Sequence, residues 1–245
     1  MIELLLSFVA GLLAAFVGVI AGGGGIISVG LLLFLGYPVD ISLATNRLAS
    51  LGATTSSVIR YSQSKKVDWR LGLRLGIIGI FGAAIGAQLL VDIDSVVAEK
   101  VVGLILIAML PLILIKKDVG LAARITTVRN NYIGYVIYFF LTILGGLFGS
   151  GLGPILIMTI AGFFGKKFVN AAATNWLAWG LVSLTSTIIF AMNGLINYGI
   201  GIAMLAGMLI GGWVGAHTAV RRGDRFVRIM LVGVQIIIVI KLLFF

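Results

Sequence analysis

The chain lacks cysteine, has a single histidine and carries only eight acidic residues. Without cysteine it has no disulfide, thiol nucleophile or thiolate metal site, although this absence says little about the compartment. The shortage of histidine and acids also leaves metal chemistry without a ligand set. Charged residues make up 11% of the chain and hydrophobic residues 60%, which excludes a soluble domain with a polar surface. The composition predicts an all-α polytopic membrane protein that needs no cofactor.

The basic residues are concentrated at one set of segment ends. Most of the 18 lysines and arginines lie in Arg60 to Arg74, Lys116 to Arg129, Lys166 with Lys167, and Arg221 to Arg228, whereas Glu3, Asp40, Asp92, Asp94 and Glu99 lie near the other ends. The positive-inside rule accounts for this asymmetry, so the net charge of +10 implies no nucleic-acid partner. We expect a multi-pass protein of the cell inner (plasma) membrane whose central basic linker, residues 116–130, is cytoplasmic. The first four residues carry no basic charge, so no cleaved signal peptide is expected.

Two glycine-rich breaks interrupt apolar segments that should still lie inside the bilayer. The first is Gly22 to Gly25, and the second is Gly149 to Pro154. Each glycine costs about 1 kcal/mol in a helix interior and proline removes a backbone donor, so we predict that helices end there and restart near Ile26 and Ile155. Paired broken helices are typical of transporter binding sites.

The first half reads as about five hydrophobic segments. They are residues 2–20, a short segment over 26–36, a third segment that ends at about Tyr61, a fourth over 69–90 and a fifth over 101–115. The second would rise only about 16 Å as a helix, against about 30 Å of hydrocarbon, so it is predicted to be a half-helix. We leave open whether it spans or re-enters the membrane.

Two of these segments have faces of distinct character. The third carries a polar stripe of Asn46, Ser50, Thr54 and Ser57, which in a bilayer must face protein or water. The fourth carries Gly72, Gly76, Gly79, Gly82 and Gly86 at helical spacing, which predicts a close-packing face.

Adding 129 to a first-half position reproduces the pattern without a gap. The matches are Gly22 and Gly24 with Gly151 and Gly153, Phe34 and Gly36 with Phe163 and Gly165, Ala44-Thr45-Asn46 with Ala173-Thr174-Asn175, Ser57 with Ser186, and Gly86-Ala87 with Gly215-Ala216. The register indicates a duplication, with repeats at residues 1–115 and 131–245 of one membrane domain.

The charges at equivalent connections are opposite in bias. The basic stretch from Arg60 to Arg70 corresponds to the uncharged stretch from Met192 to Asn197, and the acidic pair Asp92 and Asp94 corresponds to the basic Arg221 to Gly223. Because loops of one sign should share a side, we predict two inverted-topology repeats, each with an odd number of crossings.

The order of these motifs resembles the TauE/SafE sulfite exporter family, also called TSUP, over nearly the whole chain. The resemblance rests on Gly22 to Gly25, Ala44-Thr45-Asn46, Val67-Asp68-Trp69-Arg70 with Gly82 and Gly86, Gly149 to Gly153 and Ala173-Thr174-Asn175. It implies a permease for small anions such as sulfite, sulfonates or sulfur-containing organic acids. Asn46 and Asn175 stand where many members have serine, and Arg47 is matched by Trp176, so the exact anion stays open.

The breaks suit an anion because each leaves a helix N-terminus with free N–H groups and a partial positive charge. The expected substrate-binding residues are Gly22, Gly23, Gly24, Gly25, Thr45, Asn46, Arg47, Gly151, Gly153, Thr174 and Asn175. The threonines and asparagines either donate to the anion or bond between helices, and Arg47 either binds the anion or snorkels to the outer interface. Trp176 and Trp179 either line the pathway or pack. Because a Cβ should obstruct the site, we expect Gly24→Val or Gly153→Val to abolish binding with stability unchanged.

Other functional classes fit the sequence less well. A rhomboid-like serine protease needs a glycine two residues before its serine, where Phe148 precedes Ser150, and His217 is the only histidine, so an enzyme is not expected. An anion channel and a non-transporting membrane scaffold remain alternatives. An interior-negative potential drives an anion outward by about 2.3 kcal/mol per charge per 100 mV, so export needs no coupling ion. Coupling to protons or sodium, the transport direction and homo-oligomerisation stay open.

Overall fold

The computed structural model describes residues 1–92, 120, 121, 123, 125–148 and 151–244, with the side chains of 235–244 left out. The described residues form eight helices and no strand. These are α1 (Ile2–Ala21), α2 (Gly25–Phe34), α3 (Val39–Gln63), α4 (Trp69–Asp92), α5 (Val128–Phe148), α6 (Gly153–Phe163), α7 (Phe168–Met192) and α8 (Tyr198–Phe244), which is bent at Gly223. The all-α prediction is confirmed. The predicted segment at 101–115 lies outside the described residues, as do linker residues 116–119, 122 and 124. Gly149 and Ser150 of the second glycine break also lie outside them. Helix α5 starts at Val128, within the stretch assigned to the linker.

Five of these helices are long and apolar enough to cross a membrane. They are α1, α4, α5, α7 and the part of α8 from Tyr198 to Val234. By contrast, α2 has 10 residues and α6 has 11, which confirms the predicted half-helix. The polar stripe of α3 is buried, with Asn46, Ser50 and Thr54 each less than a tenth exposed and Ser57 fully covered.

Each short helix folds back along the long helix before it. The Tyr37 hydroxyl, just beyond α2, lies 3.5 Å from the Glu3 carboxylate at the start of α1. In the second half Phe164, just beyond α6, packs edge-on against Tyr135 near the start of α5, with ring centroids 4.9 Å apart. We call α1–α2 the first hairpin and α5–α6 the second hairpin. Each has its glycine break at the tip.

The two hairpins approach from opposite ends of the central helix pair α3 and α7. These helices run antiparallel, because Ser50 bonds Ser183 at 3.1 Å and Asn170 bonds the Lys66 carbonyl at 3.1 Å. The first hairpin opens at the start of α3, whereas Lys166, at the base of the second hairpin, reaches Asp68 beyond the end of α3. The tips meet in the interior, where a Cβ on Gly153 would overlap the backbone of Gly22.

The helix boundaries of the two halves follow the 129-residue register. Helix α3 covers Val39–Gln63 and α7 covers Phe168–Met192, so both ends differ by 129. Left-handed backbone also recurs at equivalent positions, as at Gly22 with φ 79° and Gly151 with φ 87°. These correspondences are what a duplicated sequence should produce.

The glycine face of α4 packs against the other half of the chain. Gly72 and Gly76 lie against Leu177 and Leu181 of α7, and Gly82 and Gly86 lie against the backbone of α5. On α8, Gly207, Gly211 and Gly215 pack in the same way against the backbone of α1. The predicted close-packing face is therefore confirmed. The fourth helix of each half, α4 or α8, packs against helices of the other half.

Candidate functional site

A cavity of about 50 Å³ lies where the hairpin tips meet the middle of α3 and α7. Of the expected site residues, Gly22, Gly24, Gly25, Asn46, Gly153 and Asn175 line it. Ser50, Trp176, Trp179 and Met208 complete much of the wall. The structure thus brings both glycine breaks and both asparagines of the Ala-Thr-Asn motifs to one place.

Two helices begin at this cavity without a side-chain cap. Helix α2 starts at Gly25 after Gly24, and α6 starts at Gly153 after Leu152, with Pro154 in its first turn. The N–H groups of Ile26, Ile27 and Ile155 already bond preceding carbonyls, and Pro154 has no N–H, so the two starts favour an anion mainly through the partial positive charge of the helix dipole. The left-handed turns at Gly22 and Gly151 direct the chain into them.

Asn46 and Asn175 occupy equivalent positions and are 7% and 4% exposed. The Asn46 Oδ1 accepts a hydrogen bond from Ser28 at 2.6 Å, and the Asn175 Oδ1 accepts one from the Tyr138 hydroxyl at 3.1 Å. Neither Nδ2 donates to any group in the part of the chain that the structure describes. Each oxygen is therefore occupied, and the amide nitrogens are left as donors at the cavity wall.

The tip of the first hairpin is held by two donors on one carbonyl. The Tyr61 hydroxyl and the Trp176 indole N–H bond the Val19 carbonyl at 3.1 and 3.3 Å. This carbonyl lies in the last turn of α1, where carbonyls lack helical partners. Trp176 therefore both lines the cavity and fixes the hairpin, while Trp179 forms another part of the wall.

The Arg47 side chain is buried, with 3% exposure, and does not snorkel to the interface. Its guanidinium donates to the Gly145 carbonyl and lies 5.0 Å from the ring centroid of Trp179. It does not line the cavity, but the ring that it covers does. Among the described residues the only ion pair joins Lys166 and Asp68, so the charge of Arg47 is not neutralised by a described carboxylate.

Thr45, Thr174, Gly23 and Gly151 do not line the cavity. Thr45 accepts a hydrogen bond from the backbone N–H of Asn197 at 3.0 Å, and Thr174 accepts one from that of Asp68 at 3.1 Å. Each threonine thus holds the residue that precedes a fourth helix, α8 or α4. In this conformation the two hydroxyls join helices of different halves.

Sequence reasoning missed the hydroxyl groups that orient the asparagines. Ser28 is a polar residue in an otherwise apolar short helix, which was a usable signal. Tyr138 gives a weaker signal, because tyrosine in a membrane protein is typical of the membrane–water interfaces. The lone His217 lies away from the cavity, where its Nδ1 is 3.2 Å from the Arg60 Nε and its ring stacks on Trp213.

The structure contradicts the expectation that Gly24→Val and Gly153→Val leave stability unchanged. A Cβ on Gly24 would overlap the carbonyl of Ala14, and one on Gly153 would overlap Gly22. Because backbone atoms cannot move aside cheaply, Gly24→Val and Gly153→Val should disturb the hairpin tips as well as the site. These substitutions cannot separate binding from packing.

Residues 7–242 match the model of the family described as sulfite exporter TauE/SafE. The chain belongs to this family. The match includes every described residue that lines the cavity. No solved structure matches the chain significantly.

Several curated relatives of this TauE/SafE chain carry the word transporter in their names. A "Probable membrane transporter protein" of Haemophilus influenzae is 28% identical over 98% of this chain and 94% of its own. "Probable membrane transporter protein ORF9" of Sinorhizobium sp is 28% identical over 96% and 90%. "Probable membrane transporter protein YfcA" of Escherichia coli K12 is 25% identical over 98% and 88%. The chain is a member of a membrane transporter family.

Proposed function

We propose that this protein is a permease for small oxyanions of the sulfite type, which bind in the central cavity between the two hairpin tips. The observation that carries the proposal is the pair Asn46 and Asn175. Both are more than nine-tenths buried, and both keep an amide nitrogen without a described partner. Neither nitrogen is among the fully buried side-chain atoms that lack a partner, so both are open to the cavity, where they can donate to a ligand that accepts hydrogen bonds.

The electrostatics of the cavity favour an anion over a cation. The two uncapped starts of α2 and α6 place partial positive charge at the cavity, and the full charge of Arg47 lies behind Trp179. No acidic residue is among the described residues that line the cavity. A bound anion would complete the hydrogen bonding of the asparagines and offset the positive charge.

The size of the cavity narrows the substrate class. The cavity volume of about 50 Å³ is a few times the roughly 10–15 Å³ that one water molecule needs on the same measure, so the present conformation has room for a small ion. Sulfite is small enough for this space, whereas we expect an extended sulfonate or organic acid to need a wider gap between the hairpins. We therefore place an inorganic oxyanion first among the anions that the family name suggests.

We further propose that the halves are inverted repeats that alternate access to the site. The antiparallel course of α3 and α7 and the entry of the hairpins from opposite ends support an axis in the membrane plane. The end that holds Lys166, Lys66 and Arg70 is then cytoplasmic by the positive-inside rule. Export down an interior-negative potential needs no acidic relay.

The test is flux of sulfite through purified protein in liposomes. The double variant Asn46→Ala/Asn175→Ala should lose most transport, since each charged hydrogen bond is worth about 1.5–3 kcal/mol, or roughly ten- to a hundredfold in affinity. Asn193→Ala is the matched control, because Asn193 is exposed at the end of α7 and bonds only the Ile189 carbonyl among described groups. Saturable exchange of labelled sulfite separates a permease from a channel. Wild-type flux in the double variant, with the protein folded, would place the site elsewhere.

A further inference from the structure

A second polar cavity, of about 190 Å³, lies at the basic end of the molecule. Its wall includes Arg70 and Arg74 of α4, Lys166 at the base of the second hairpin, and Asp68. Asn131 and other residues near the start of α5 also line it. Three cations thus share the cavity with one carboxylate, and it is separate from the central site.

The one carboxylate is already engaged. The Asp68 Oδ2 pairs with the Lys166 ammonium at 2.6 Å, and its Oδ1 accepts from the Leu71 N–H at 3.0 Å. Partial burial opposes ionisation, but the hydrogen bond and charge of Lys166, with the backbone donors, lower the pKa of Asp68. Asp68 is therefore charged at neutral pH and offsets Lys166. Arg70 and Arg74 form no ion pair with any described residue.

The other half of the chain shows what the fold itself requires at this position. The equivalents of Asp68, Arg70 and Arg74 are Asn197, Gly199 and Ala203, and that of Lys166 is Tyr37. Asn197 caps α8 through the Ile200 N–H at 3.2 Å, as Asp68 caps α4. Helix capping therefore needs neither the carboxylate nor the cations. The positive-inside rule explains basic residues at this end, but it does not explain a cavity that collects them around one acid.

We propose that this basic-end cavity is a second anion site, which holds a tetrahedral oxyanion of the sulfate or phosphate class between Arg70, Arg74 and Lys166. Guanidinium groups suit such oxyanions because their N–H groups can bond two oxygens at once. Asp68 is the internal competitor, since it occupies the Lys166 ammonium whenever the site is empty. The oxyanion is either free in the aqueous phase or the phosphate of an anionic lipid headgroup. This site stands independently of the permease proposal.

The first arm of the test uses free sulfate. The full-length protein in detergent without added lipid is titrated with sodium sulfate at constant ionic strength, and binding is followed by calorimetry. Arg70→Gln/Arg74→Gln should weaken binding at least tenfold. Lys65→Gln/Lys66→Gln is the matched control, because it removes the same charge from the neighbouring turn without touching the cavity. Asp68→Asn should tighten binding severalfold, and Asn197 shows that asparagine preserves the cap.

The second arm uses lipid. Nanodiscs of phosphatidylcholine are compared with nanodiscs that also contain phosphatidylglycerol, and the melting temperature is measured. If a headgroup is the ligand, phosphatidylglycerol should raise the melting temperature of the wild type more than that of Arg70→Gln/Arg74→Gln. The control variant Lys65→Gln/Lys66→Gln should be stabilised as much as the wild type.

The proposal requires the oxyanion to bind at the basic-end cavity and not at the central cavity. Sulfate binding that survives in Asn46→Ala/Asn175→Ala supports the second site, whereas its loss there assigns the signal to the central cavity and overturns the proposal. Equal effects of the two double charge variants in both arms, or no binding of either ligand, would also overturn it.

Discussion

The two halves of the chain supply the same groups at the centre of the molecule and different groups at its ends. At the centre, Asn46 and Asn175 are equivalent residues, and each has its oxygen held by a hydroxyl while its nitrogen lies at the cavity. At the ends, the Lys166–Asp68 ion pair corresponds to Tyr37 and Asn197, which carry no charge.

Under the proposed function, this difference separates the residues that the site requires from those that the membrane requires. A site between two halves is contacted by both, so each half keeps its donor. In the proposed inverted arrangement the two ends face different aqueous phases, so their charges can diverge. The duplicated backbone therefore acts as an internal comparison: where one half lacks a charge and keeps the same helix cap, as at Asn197, that charge is not required by the local fold.

The largest expected effect concerns sidedness. Ser64 and Asn193 are equivalent residues at the ends of α3 and α7, and the natural chain has no cysteine. Single cysteines there should react with a membrane-impermeant maleimide from opposite faces of the membrane, with complete protection from the other face. Labelling after detergent treatment confirms that both sites can react. Modification of both from one face would exclude the inverted arrangement.

The next effect tests whether the two halves contribute equally at the centre. Asn46→Asp and Asn175→Asp each place a carboxylate, nearly equal in size to the amide, at the cavity. Because a like charge repels an anion in a low-dielectric site, each should reduce sulfite flux at least a hundredfold at neutral pH. Asn193→Asp is the matched control. A loss in one variant alone would show that the site belongs to one half.

Much of the fold was accessible from the sequence because glycine and charge leave strong local signals. The break at Gly22 to Gly25, the short helix after it and the packing face around Gly82 were all predicted and are confirmed. The reason is that glycine and proline act through backbone geometry, which depends little on distant residues.

The details of the site were less accessible because they depend on contacts between distant residues. Thr45 looked like a ligand from its place beside Asn46, yet its hydroxyl bonds the backbone of Asn197 in the other half. Arg47 looked close enough to an interface to snorkel, yet it is buried against Trp179. One sequence does not show which helix faces a given side chain.

A smaller effect is expected where the halves interlock. A Cβ on Gly86 would overlap the Ile143 carbonyl, whereas a Cβ on Gly30 meets nothing within 4 Å. Gly86→Ala should lower the melting temperature by several degrees, since overpacking typically costs about 1–3 kcal/mol. Gly30→Ala should be neutral or slightly stabilising because alanine favours a helix over glycine. Gly215→Ala, the equivalent change on α8, should destabilise less, because its Cβ would lie farther from the Phe16 carbonyl oxygen than the Cβ on Gly86 from that of Ile143. An equal loss in the two variants would contradict this difference.

The smallest effect concerns the ion pair that only one end possesses. The pKa of Asp68 is lower in the folded protein than its ordinary value, so its contribution to stability is present above that value, about 3.9. This contribution to stability should disappear as the pH falls through the lower pKa that Asp68 has in the folded protein. Because both side chains are about one-third exposed, the effect should stay within about 1 kcal/mol.

Asp68→Asn and Lys166→Gln should each melt slightly below the wild type at pH 7. The Asp68→Asn and wild-type curves should converge once the pH falls below the folded pKa of Asp68, where the carboxylate is protonated. An Asp68→Asn deficit that persists below that pH would indicate that the carboxylate acts through its shape or its helix cap, and not through its charge.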